Sequence, residues 1–77
     1  MDLKQVLTDI ARAIVDTPDA VSVTETVDGD EIELTLTVAE DDTGMVIGRH
    51  GRIAKAIRQI MKAAANTCGK HVTVEIK

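Results

Sequence analysis

The sequence predicts an α+β domain in which helices cover one face of a three-stranded mixed sheet, in the order α-β-β-α-α-β. Three observations predict this architecture. Two segments carry apolar residues at helical spacing, three carry them at every second position, and an Asp-Gly turn joins two of the alternating segments. A chain of 77 residues has room for one domain, residues 1–77, and too little for a deep catalytic cavity.

The first predicted element is a helix over residues 2–15. Its apolar residues fall on one stripe, and Asp2 can accept a hydrogen bond from the free amides at its start. Pro18 pushes Thr17 out of the helical region, so the helix ends before Thr17-Pro18-Asp19. The stripe consists of Leu3, Val6, Leu7, Ile10, Ala11 and Ile14.

A β-hairpin follows. Residues 20–27 and 31–38 alternate between apolar and polar side chains, and Asp28-Gly29-Asp30 is a turn signal between them. We therefore expect one face of the hairpin to pack against the core and the other to be exposed to solvent. The expected inward residues are Val21, Val23 and Val27 in the first strand and Ile32, Leu34, Leu36 and Val38 in the second.

Two helices and a last strand complete the prediction. Asp41-Asp42-Thr43 offers capping side chains for a short helix ending near Ile47, and a longer helix runs from Arg52 to Cys68. Residues 71–77 alternate again and should pair in parallel with the second strand through a right-handed crossover. The expected buried side of the long helix is Ile53, Ile57, Ile60, Met61, Ala64 and Cys68, with Lys55, Arg58 and Lys62 opposite.

The charge is unevenly distributed. The net charge is −4, but residues 1–42 hold twelve acids and two bases, whereas residues 43–77 hold seven bases and one acid. Such asymmetry favours a polyanion-binding face in the second half. The sequence has no aromatic residue, which excludes RNA-binding modules that stack bases on aromatic side chains.

The most informative segment is the loop Gly48-Arg49-His50-Gly51, which joins the two helices. Two glycines let the backbone turn sharply and approach another chain closely. The start of the following helix favours an anion, and Arg49, His50 and Arg52 add polar or positive groups. We interpret the loop as a binding site for a phosphodiester backbone.

This loop in this order of elements resembles the KH domain, type II, with the signature Val46-Ile47, Gly48, Arg49-His50, Gly51 and Ile53. Residues 41–58 are similar to the KhpA (YlqC) family of small bacterial proteins with a single KH domain. The resemblance implies single-stranded RNA as ligand, a loop that clamps about four nucleotides, and an apolar groove for bases lined by Val46, Ile47, Ile53, Ala54 and residues 72–74. The implied RNA-binding residues are Ile47, Gly48, Arg49, His50, Gly51, Arg52, Ile53 and Lys55.

The resemblance also implies a cellular role. Members of the family are described as RNA chaperones that form homodimers or pair with a second KH protein, KhpB (Jag/EloR), and affect cell elongation and cell-wall homeostasis. His50 departs from the Lys or Gln found in many relatives, and a neutral imidazole would grip RNA less tightly.

A second hypothesis remains open, namely a protein-interaction subunit that dimerises and binds RNA weakly. It rests on the small core and on Met45 and Val46 as exposed apolar candidates. We expect no enzyme, cofactor or small-molecule substrate, because no nucleophile or nucleotide-binding glycine motif is recognisable. Cys68 and two histidines are too few for a zinc site. Without a signal peptide or a membrane span, the expected location is the cytoplasm.

Overall fold

The computed structural model describes all 77 residues and confirms the predicted order of elements. Short 3-10 turns precede β1, α2 and α3. The helices are α1 (Leu3–Ile14), α2 (Thr43–Ile47) and α3 (Arg52–Thr67), and the strands are β1 (Ser22–Asp28), β2 (Glu31–Thr37) and β3 (His71–Ile76).

The three strands form one mixed sheet in the order β1-β2-β3. The hairpin strands β1 and β2 are antiparallel, with Val23 opposite Leu36. Strands β2 and β3 are parallel, with Leu34 opposite Val74, because α2 and α3 carry the chain back to the end where β2 began. The central strand is thus β2, and each outer strand has one unpaired edge.

The helices lie on one face of this sheet and bury a purely aliphatic core. In β2 and β3 alternate residues point into this core, as the period-two pattern predicts. In β1 only Val23 is buried, and Val27, expected on the packed side, is 57% exposed. Leu34 and Leu36 of the central strand are fully buried, together with Leu7 from α1 and Met61 from α3. The other face, which we call the open face, carries the threonines and acids of the strands: Ser22, Thr24, Thr26, Asp28, Glu31, Glu33, Thr35, Thr37, His71, Thr73 and Glu75.

Two aspartates predicted as helix caps behave differently. Asp2 caps α1, because its Oδ1 accepts a hydrogen bond from the Gln5 amide at 3.2 Å. Asp42 does not cap α2. Its side chain is buried and its Oδ2 accepts from the Thr17 amide at 2.9 Å. The carboxylate therefore ties the segment after α1 to the start of α2, a contact between residues 25 positions apart.

The buried side of α3 is rotated from the predicted one. Ile57 and Met61 are buried as expected, but the other buried positions are Ala54 and Ala65. Ile53 is 36% exposed and Ile60 51% exposed, so their assignment to the core is wrong, and Cys68 is only half-buried. An alanine on the packed side of a helix lets the helix backbone approach its neighbours closely, which a larger side chain would prevent. No helix of the chain combines the length and apolarity needed to cross a membrane.

Candidate nucleic-acid interface

The loop between α2 and α3 is a tight bend held by three backbone hydrogen bonds, one of which joins the Arg52 amide to the Arg49 carbonyl. The Gly48 amide donates to the Gly44 carbonyl at 2.9 Å and ends α2, and the Gly51 amide donates to the Gly48 carbonyl at 3.2 Å. Three of the four loop residues have positive φ: +76° at Gly48, +58° at His50 and +72° at Gly51. This left-handed backbone strongly favours glycine at two of the positions, and it costs His50 conformational energy.

Gly48 is required by packing inside the protein. A Cβ at this position would lie 2.6 Å from Cγ1 and 2.9 Å from Cβ of Ile53. Such distances are far shorter than a van der Waals contact, so any side chain would displace Ile53 and the first turn of α3. The first glycine of the loop therefore lets α2 and α3 meet closely.

Gly51 meets a different requirement. A Cβ at this position would have no atom of the protein within 4 Å, so the space beside it is open. Gly51 is also the residue before α3, and no side chain caps that helix. The partial positive charge at the start of α3 is therefore not covered by a side-chain oxygen of the protein, and an anion can approach it.

The cations around the loop are exposed and free of carboxylate partners. Arg49 and Arg52 form no ion pair, since the two ion pairs of the chain are Arg12–Asp19 and Lys70–Asp30. His50 is equally exposed. Free guanidinium groups beside an uncapped helix start form a surface suited to phosphate oxygens.

A row of cations continues from the loop along α3. Lys55, Arg58 and Lys62 lie within about 60° of one another around the helix, and we call this row the basic flank. Arg58 Nε donates to the Val74 carbonyl at 3.2 Å, so this residue of the flank reaches β3, whereas the helical pattern placed it opposite the buried side. Helical spacing alone could not find Arg58, because its position depends on where β3 lies.

The predicted apolar groove is only partly present. Ile47 and Ile53 are more than one-third exposed beside Gly48. Val46, by contrast, is fully buried, so its assignment both to the groove and to an exposed apolar surface is wrong; Ala54 and Val74 also belong to the core. Around α3, Ile53 lies about 140° from Arg58, so the structure does not bring Ile53 to the edge of β3. Lys55 is exposed on that edge side, and Met45 is exposed on α2.

One shallow depression lies elsewhere, on the open face of the sheet. Its lining includes Asp28, Glu31 and Glu33 together with Thr26 and Thr73. Three carboxylates repel a phosphate backbone, so this depression is unsuited to the ligand that the loop attracts. The charge asymmetry of the sequence thus corresponds to two different surfaces of the fold.

Known proteins match the chain along almost its whole length. A family model described as KhpA/KhpB, KH domain, matches residues 4–76. A protein of Clostridium acetobutylicum named RNA-binding protein KhpA is 53% identical over 74 residues, which cover 96% of this chain and 99% of the relative. A protein of the same name from Clostridium perfringens is 47% identical with the same coverage of both chains.

Solved structures agree on the fold. Era in complex with MgGDPNP and nucleotides 1506–1542 of 16S ribosomal RNA aligns with 96% of this chain, at a TM-score of 0.72 and 19% identity. The chain spans only 28% of Era, so this similarity concerns the fold of one domain. Together with the family model and the relatives, it confirms the type II KH architecture. The chain therefore belongs to the KhpA/KhpB family of KH domains.

Proposed function

We propose that this protein binds single-stranded RNA through the loop 48–51 and the basic flank of α3. The observation that carries the proposal is the open space beside Gly51, at the uncapped start of α3 and between unpaired arginines. A sugar–phosphate strand can lie against this backbone, because no side chain stands between them.

The relatives support the same ligand. The Clostridium proteins are named RNA-binding proteins, and the match with them includes nearly every residue of this chain. The chain has no aromatic residue, so affinity must come from phosphate contacts rather than from stacking. We therefore expect micromolar, salt-sensitive binding with little sequence preference.

The salt dependence gives a first test. A loop that clamps about four nucleotides should give a slope of about −3 in a plot of log affinity against log salt, at about −0.7 per phosphate. Fluorescence anisotropy with a labelled ten-nucleotide RNA measures it. A slope near zero would show that cations do not carry the binding.

Charge reversal in the loop gives the decisive test. Replacing Arg49→Asp and His50→Asp in one variant should weaken binding about a hundredfold or more, because phosphate contacts become repulsion. The control variant, Ser22→Asp with Thr24→Asp, adds carboxylates on the open face and should bind within about twofold of the parent, since screening limits charges more than about 8 Å away. Equal losses of RNA affinity in both variants would show that the net charge of the protein, and not a contact made by the loop, determines binding.

A second proposed function, self-association, rests on the exposed apolar residues of α3. Ile53 and Ile60 are two turns apart and about 20° apart around the helix, so they form one apolar stripe. Both protrude from a small domain that gains stability by burying such surface. We propose that the stripe packs against the same stripe of a second copy, or of KhpB, whose KH domain belongs to the same family.

Light scattering over a concentration series tests this interface. The parent should approach twice the mass of one chain, and Ile60→Asp should remain a monomer because a carboxylate cannot be buried there. Val27 is 57% exposed at the end of β1, so Val27→Asp is a matched control that should still associate. A parent that stays monomeric at high concentration would rule out the homodimer.

We further propose that the protein acts in the cytoplasm as an RNA chaperone with KhpB, in regulation linked to cell elongation and cell-wall homeostasis. Weak, sequence-tolerant contacts doubled by a partner suit transient rearrangement of many RNAs. Cells carrying the loop variant should show the cell-length phenotype of a deletion and lose crosslinked RNA. Normal cell length together with lost RNA crosslinking would show that the role in cell elongation does not depend on RNA binding.

A further inference from the structure

Arg58 is the only cation of the basic flank that makes a hydrogen bond. Its Nε donates to the Val74 carbonyl of β3 at 3.2 Å, while Lys55 and Lys62 have no side-chain partner. Its side chain is exposed and forms no ion pair, so its charge is available to a ligand. Arg58 thus joins the cationic helix flank to a backbone group of the sheet.

The Val74 carbonyl belongs to the unpaired edge of β3. The His71 amide donates to Asp30 at 2.8 Å and the Lys77 amide to Leu36 at 2.9 Å, so odd-numbered residues of β3 point their backbone groups at β2. Backbone groups alternate in direction along a parallel strand. The amide and carbonyl of Val74 therefore point away from the sheet, toward solvent beside α3.

Arg58 changes which hydrogen-bonding groups the edge of β3 presents to a base. An open strand edge presents both an amide donor and a carbonyl acceptor at each outward residue. At Val74 the acceptor is taken by the guanidinium, whose other N–H groups remain available. The second lone pair of the carbonyl lies beside a positive charge that disfavours any incoming N–H donor. At Val74 the edge of β3 therefore presents hydrogen-bond donors only, and we call this part of the edge the donor surface.

Nucleobases differ in how they meet a donor surface. Uracil presents carbonyl oxygens, and guanine presents O6 and N7, the pair of acceptors that arginine recognises with two parallel bonds. Adenine presents one acceptor, N7, beside an amino group; the amino group needs an acceptor and would face the guanidinium unpaired. The free edge beside Arg58 therefore matches bases that carry a carbonyl oxygen.

We propose that Arg58 is a specificity-determining residue which, by occupying the Val74 carbonyl, makes the edge of β3 favour uracil or guanine over adenine. This inference rests on the proposed RNA binding. It adds one base-selective position to contacts that are otherwise made with phosphates.

Binding of oligouridine and oligoadenosine tests the role of Arg58. The parent should bind a ten-nucleotide oligouridine more tightly than oligoadenosine. Arg58→Met keeps an unbranched stem as far as the position of Nε but frees the carbonyl, so the ratio of the two dissociation constants should move toward adenine by about fivefold or more. The intrinsic stacking of each RNA cancels, because all variants meet the same two oligonucleotides.

Lys62→Met is the matched control. It removes one charge from the same flank, one turn further along α3, but no backbone bond. Both RNAs should lose affinity equally, leaving the ratio unchanged. If Arg58→Met has the same ratio of dissociation constants as the parent, or if Lys62→Met changes the ratio equally, Arg58 does not determine specificity. Neither result would contradict RNA binding itself. If the parent binds neither oligonucleotide, the proposed function itself fails and the role of Arg58 fails with it.

Discussion

Two turns of this molecule share a backbone requirement and differ in charge. Gly29 in the β-hairpin has a φ of +62° and Gly51 in the loop has +72°, and a Cβ at either would meet no atom within 4 Å. Asp28 and Asp30 flank the first glycine, whereas His50 and Arg52 flank the second. A tight, open glycine turn is therefore not by itself an anion site; the sign of the neighbouring charges decides which turn can accept a phosphate.

The sharpest difference between the turns is Gly48, which has no counterpart in the hairpin. Gly48→Ala should lower the free energy of unfolding by about 3 kcal/mol, because a left-handed φ is combined with the clash against Ile53. Urea denaturation measures the loss. The double variant with Ile53→Ala should lose less than the sum of the single variants. Additive losses would show that Ile53 is not what excludes a side chain at position 48.

The acidic half of the chain contains one buried carboxylate, that of Asp42. Asp42→Ala should cost about 2 kcal/mol, because the part-buried hydrogen bond from the Thr17 amide loses its acceptor. Asp28→Ala, at an exposed position of the hairpin turn, should change stability by less than about 0.5 kcal/mol. RNA affinity should not fall in either variant. Equal stabilities for both variants would mean that the Asp42 contact contributes nothing net.

The two open glycines allow a direct test of the comparison. Gly29→Ala and Gly51→Ala should each cost about 1–2 kcal/mol of stability, since the same left-handed conformation is strained in both. Only Gly51→Ala should also weaken RNA binding, by about tenfold, because its methyl group would stand between the loop backbone and a strand bound there. Thermal unfolding and anisotropy on the same preparations separate the effects. Unchanged affinity in Gly51→Ala would place the RNA away from the loop.

The smallest expected effect concerns His50. His50→Lys places a lysine ammonium group in the loop and should raise RNA affinity about threefold, with a salt slope steeper by about 0.7. Thr26→Lys adds the same charge to the open face and should change affinity by less than about twofold. A gain of similar size in both variants would indicate long-range attraction rather than a contact in the loop.

Local patterns of the sequence predicted the elements but not their contacts. The helices and the hairpin follow from spacing and turn signals, which act over a few residues. The loop was predicted because glycines and cations lie together in the chain, and the resemblance to KH domains extended that prediction to the whole fold.

Three features depend on contacts between distant residues and could not be predicted. The rotation of α3 buries Ala54 and leaves Ile53 36% exposed, although isoleucine is the more apolar of the two. Asp42 bonds to an amide 25 positions away, and Arg58 bonds to β3, which follows α3 in the chain. Spacing within one helix identifies which residues share a side but not which neighbour that side meets.

Backbone amide NMR shifts during titration with a single-stranded RNA test the central claim most directly. The largest changes should fall on the amides of residues 49–52, with smaller ones along the basic flank and none at residues 28–30 of the hairpin turn. Changes confined to the open face of the sheet, or equal at both turns, would contradict the assignment of the loop as the RNA contact.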